Sequence, residues 1–85
     1  MSKKEKAQKR LLSKPKDYTI DELDTLMMMS NCQKANRGKT SGSAIEYIHT
    51  KTQMALYLHS PHPRRELKEY MLVKAINFLK SVDEI

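Results

Sequence analysis

The period of the apolar positions changes along the chain, and each change marks an element. Ile20, Leu23, Leu26 and Met27 recur every three or four residues, which predicts an amphipathic helix over about 20–30. Thr19 followed by Glu22 three residues later is a capping box at its start, and Asp21 adds negative charge at the positive end of the helix dipole. "SAIEYIH" and "QMALYLH" alternate instead, and Thr50, Lys51 and Thr52 between them predict a hairpin. Met54, Leu56 and Leu58 fall on one face of its second strand and Ala55, Tyr57 and His59 on the other. In the first strand Ile45 and Tyr47 form the larger apolar face, leaving Ala44 and Glu46 on the opposite, wetter side. "CQKANRG" is a short, polar strand candidate, and Gly38 and Gly42 bracket a loop, "KTS". "SPHPRR" has two prolines in three residues and excludes regular structure. From Glu66 the helical period returns through Leu67, Tyr70, Met71, Ala75, Phe78, Leu79 and Val82. Residues 1–14 have a helical composition that Pro15 terminates, giving a basic arm or a short helix ahead of a single domain at 15–85.

The expected order is helix, three strands, helix: a small α+β domain with a three-stranded antiparallel sheet and two helices on one face. The other sheet face is left open to a partner. With 85 residues and no Trp, the core is limited and rests on Leu, Ile, Met and a few rings, and the triple Met27–Met29 reads as core plus rim.

Composition narrows the function classes. No apolar run approaches the ~20 residues that span a bilayer, and the N-terminal lysines are not followed by the apolar segment of a secretory signal. Cys32 is the single cysteine, so no internal disulfide forms, and the expected location is the reducing cytoplasm. The net charge of +6 is unevenly spread. Residues 1–16 hold seven basic groups against Glu5, residues 17–24 hold four acids and no base, and residues 34–65 hold six basic groups against Glu46. A basic middle of this kind attracts polyphosphate.

The candidate chemistry lies in that middle. Lys39, Thr40, Ser41 and Ser43 sit in a glycine-bracketed loop where their donors can meet phosphate oxygens. The G-K-T within it is not a P-loop, because the upstream glycine of that motif would fall at residue 33, which is Gln. Arg64 and Arg65 precede the last helix, where cations oppose the dipole, a placement that suits gripping phosphate. Arg37 and Lys68 complete the RNA-binding set. His62, held between two prolines, is a candidate proton donor or phosphate contact, whereas His59 and His49 read as exposed or structural. His59, His62 and Cys32 supply at most three ligands with a proline-broken spacing, so no metal and no cofactor is expected. Cys32 reads as a small buried side chain.

"GKTSGSAIEYIH" followed by "LHSPHPRRELKEYMLVKAINFLK" resembles the HicA family of toxin RNases from bacterial toxin–antitoxin pairs. The resemblance rests on a Gly-Ser turn entering the second strand, a short hairpin, and His62-Pro63 ahead of Glu66-Leu67-Lys68; "PKDYTIDEL" also matches one branch of the family. It spans residues 15–82. It implies an αβββα fold of the double-stranded-RNA-binding type and a cytoplasmic, metal-independent endoribonuclease that cleaves mRNA. The implied partner is a HicB-type antitoxin. It also implies a histidine or another basic residue just after the Gly-Ser turn, where this chain has Ala44-Ile45. Catalysis is therefore expected to be impaired, either because a reactive residue was replaced or because this member only binds RNA or relies on His62. The alternatives from other classes are a non-catalytic RNA-binding module and a protein-interaction module, both using the same basic face.

Overall fold

Pro15 separates two helices. The computed structural model describes residues 2–35, 44–59 and 65–85, the side chain of Ala44 excepted. Its elements are α1 (Lys3–Leu12), α2 (Ile20–Met29), β1 (Cys32–Lys34), β2 (Ala44–His49), β3 (Ala55–His59) and α3 (Glu69–Ser81). A third helix is thus added to the expected pair. In α1 the Ser2 hydroxyl accepts from the Glu5 amide at 3.1 Å, and Lys9 and Arg10 lie in the last turn, where cations complement the dipole. Leu11 is fully buried and Ala7 packs against the core, which binds α1 onto α2 and α3.

α2 follows its sequence pattern. The Thr19 hydroxyl accepts from the Glu22 amide at 3.3 Å, and Ile20, Leu23, Leu26 and Met27 are buried. Met28 is exposed, so the methionine run is split between core and rim.

The sheet order is β1-β2-β3, antiparallel throughout. Cys32 pairs with His49 in β1–β2, and Ala44 pairs with His59 and Glu46 with Tyr57 in β2–β3. Ile45, Tyr47, Leu56 and Leu58 point into the core, which α2 and α3 close. Two expectations need correction here. The hairpin loop extends through Met54, with Gln53 left-handed at φ 64° and the His49 amide donating to the Met54 carbonyl at 2.8 Å. Met54 therefore falls outside β3 and is exposed. Glu46, placed by alternation on the wetter side, is only 6% exposed. Alternation fixes which face a side chain takes but not what covers that face.

α3 begins at Glu69, three residues later than its apolar period suggests. The preceding backbone is committed elsewhere: the Ile20 amide donates to the Arg65 carbonyl at 3.0 Å and the Leu67 amide to the Tyr18 carbonyl at 2.7 Å, forming a bridge between Thr19 and Glu66. Met71, Ala75, Phe78 and Leu79 are buried as expected, joined by Leu72 and Ile76, but Tyr70 points outward. The helix ends with Asp83 left-handed at φ 59°, the Glu84 amide donating to the Leu79 carbonyl at 2.8 Å and the Asp83 amide to that of Lys80 at 3.2 Å. This is a Schellman motif built without glycine. It turns Glu84 back into the molecule.

Candidate nucleic-acid interface

Of the residues singled out from the sequence for catalysis or RNA contact, Ala44, Arg65 and Lys68 lie among the described residues. Arg37, Lys39, Thr40, Ser41, Ser43, His62 and Arg64 lie outside them. Ala44 is the first residue of β2, and its backbone pairs with His59, the last residue of β3. His59 and Tyr57 alternate with the buried Leu56 and Leu58, so both stand on the sheet face away from the helices, and both are exposed. An exposed imidazole thus sits one strand away from position 44, at the same end of the sheet.

The described residues of the basic middle are divided by the fold. Arg65 is bonded to Asp21 in the first turn of α2: its Nε donates to Oδ2 at 2.9 Å and its Nη2 donates to Oδ1. This hydrogen bonding from Arg65, against an opposing effect of desolvation, holds the Asp21 carboxyl below its usual range. Lys34 pairs with Asp24 at 3.5 Å. Lys51 lies in the hairpin turn, at the opposite end of β2 and β3 from Ala44 and His59. Lys68 caps α3 through its backbone and keeps its side chain exposed.

The acidic stretch of α2 is neutralised from three directions. Arg10 of α1 donates to both carboxylate oxygens of Glu22 and, at 3.2 Å, to Asp17. Its guanidinium also lies 5.7 Å from the centre of the buried Tyr18 ring. Arg65 holds Asp21 and Lys34 holds Asp24, while the Tyr47 hydroxyl also donates to Asp24. Burial, followed by that hydrogen bond, pushes the Tyr47 phenol far above its ordinary range, so it remains a donor. The sequence shows an acidic block and two basic blocks; the fold joins them.

A polar cluster that the sequence did not disclose lies at the other end of the sheet. Glu84 Oε2 is 2.7 Å from His49 Nε2 and accepts from Asn31 Nδ2 at 3.0 Å, while Oε1 accepts from Lys4 Nζ at 2.8 Å. Gln8 Nε2 donates to the Glu84 carbonyl at 2.6 Å. Burial opposes the Glu84 charge, but the hydrogen bonds from Lys4, Asn31 and His49 together outweigh it and bring the carboxyl down to about 2. Beside an ionised Glu84, His49 Nε2–H donates, and Nδ1 lies 2.9 Å from the Thr52 hydroxyl. The expected structural role of His49 acquires its partners here.

Cys32 is buried in β1, and desolvation, helped by the charge of Glu84, pushes its thiol up to about 11. It is therefore a poor nucleophile. Its pairing with His49 puts it at the far end of the sheet from His59, and among the described residues no three His, Cys, Asp or Glu side chains converge on a metal position. An open groove of about 530 Å³ runs between the end of α2 and β1, lined by Met28, Lys34 and Tyr47 among others. No helix among the described residues is long and apolar enough to cross a membrane. Among known proteins, no family model matches this chain, and no curated protein and no solved structure matches it.

Proposed function

We propose that this chain is an RNA-directed toxin domain of the HicA type, with the finer architecture of a double-stranded-RNA-binding fold carrying an additional N-terminal helix. Its activity is metal-independent endonucleolytic cleavage of mRNA in the cytoplasm, and a HicB-type antitoxin covers the same face. The observation that carries this reading is the placement of Ala44. It opens β2 opposite His59, on a sheet whose other face is closed by helices. In-line attack by a 2′-hydroxyl needs a proton acceptor beside that hydroxyl and cations on the developing phosphorane charge. Alanine supplies neither, and loss of one positioned acid–base group costs about 10²–10⁴-fold in rate. The chain as it stands is thus a nearly inactive nuclease that keeps its RNA and antitoxin surfaces.

The test is RNA cleavage by the parent, Ala44→His and Ala44→Arg, each with and without chelator. The proposal expects chelator-insensitive cleavage in at least one restored variant and growth arrest on its expression. If both variants match the parent in cleavage and are harmless, position 44 has no catalytic role. The second reading, a non-catalytic RNA-binding module, is favoured by Ala44 itself. It predicts salt-sensitive RNA binding with no cleavage by any of the three proteins.

A further inference from the structure

The two edges of the sheet differ. On β3, the bond from the His49 amide to the Met54 carbonyl sets the hydrogen-bonding phase, so the Tyr57 backbone faces away from β2. Lys74 of α3 caps this edge, its Nζ donating to the Tyr57 carbonyl at 3.0 Å. On β1, the Ala35 amide donates to the Glu46 carbonyl at 2.8 Å, and the Asn31 carbonyl accepts from the Thr50 amide at 2.9 Å. Asn31, Gln33 and Ala35 therefore bond inward to β2, and the amides and carbonyls of Cys32 and Lys34 point outward. β1 ends the sheet order, so no strand among the described residues pairs with them. The groove of about 530 Å³ follows this edge, for Cys32 and Lys34 line it from the helix side of β1 and Gln33 from the other side. Met28 borders it at the end of α2 and, at 74%, is the most exposed large apolar side chain among the described residues.

We infer that β1 is a docking edge for β1 of a second copy of this chain, joining the two sheets across a two-fold axis. Antiparallel edges related by such an axis have few registers. With Gln33 on the axis, Cys32 faces the second copy's Lys34 and Lys34 faces its Cys32, so every outward amide and carbonyl of both strands finds a partner. With Cys32 on the axis, Lys34 would meet Ser30, whose amide is already bonded to the Met27 carbonyl at 3.0 Å. With Lys34 on the axis, two ammonium side chains would stand directly opposite each other. The Gln33 register thus satisfies the backbone and opposes no like charges. Each Lys34 also keeps its own Asp24 at 3.5 Å, so the charges brought near the axis are already neutralised pairs. The incoming strand fills the groove and shields Met28 from water. This inference does not depend on the RNA-directed reading above.

The experiment is sedimentation equilibrium of the full chain over a range of concentrations, joined to disulfide trapping. The parent's average mass rises from 9.9 kDa toward twice that value as concentration increases. Gln33→Cys forms an intermolecular disulfide under mild oxidation, because facing residues at a non-hydrogen-bonded site stand about 4.5 Å apart at Cα, within disulfide reach. Asn77→Cys, exposed on α3 and outside the groove, cross-links far less. Gln33→Glu sets two carboxylates opposite each other and shifts the dimer toward monomer, and added salt reverses part of that shift. Lys34→Pro removes an outward amide without breaking a β1–β2 bond and abolishes the dimer. Gln33 is exposed, so its variants melt close to the parent and decide the matter if Lys34→Pro unfolds. A parent that stays monomeric at every concentration overturns the inference. So does a dimer that survives Gln33→Glu and in which Gln33→Cys cross-links no more than Asn77→Cys.

Discussion

His49 and Glu84 lie 2.7 Å apart with their side chains only 1% and 7% exposed, and through this pair the chain's end is bound to the hairpin. Lys4, Gln8 and Asn31 join them, so α1, the turn after α2, the hairpin and the C-terminal turn meet in one hydrogen-bonded cluster.

Glu84→Gln should therefore destabilise the protein on the order of 1–3 kcal/mol at neutral pH, because Lys4 and His49 lose a charged acceptor in a buried site. The Glu84 carboxyl is lowered on folding from 4.5 to about 2. Its contribution is complete above the unfolded value and is lost as pH falls from there through the folded value. Urea titrations of parent and variant should give a stability difference that shrinks across that acid range. A constant difference would remove Glu84 ionisation from the account.

α1 should behave as part of the domain. Leu11→Ala is expected to cost about 2–5 kcal/mol, as truncation of fully buried leucines does. Chemical denaturation checks this. A stability equal to the parent's would mean that α1 is a detached arm.

Lys14 follows α1 with φ 50°, a conformation that burdens every residue except glycine. Lys14→Gly should raise stability by up to about 1 kcal/mol, seen as a higher melting temperature. A lower one would show that the lysine side chain, and not the backbone, governs this turn.

α2, the hairpin and the buried stripe of α3 were legible because each buries residues at a single period: Leu23 and Leu26, Leu56 and Leu58, Met71 and Phe78. The integration of α1 was not, since Leu11 is the one buried residue in a lysine-rich helix. The turns concealed themselves as well. Lys14, Asn31, Gln53 and Asp83 take positive φ without glycine, and both glycines lie between β1 and β2. Glu84 shows the same limit from another side, because its partners are spread from Lys4 to His49 and only the Schellman turn brings it to them. At the candidate site, alternation put Ala44 on one strand and His59 on another, but their pairing is a matter of register. Tyr70 was read into the core because it keeps the helical period, although it lies at the margin of the stripe.

The central claim is that RNA meets the sheet face and β3 edge beginning at Ala44 and His59. Its most direct test is an amide chemical-shift titration of the isotopically labelled protein with single-stranded RNA. The account predicts shifts concentrated at Ala44, Tyr57 and His59, fading as salt rises, with Leu11, Tyr18 and Leu23 unmoved. Shifts confined to α1 and α2, or a spectrum that RNA leaves unchanged at low salt, would contradict it.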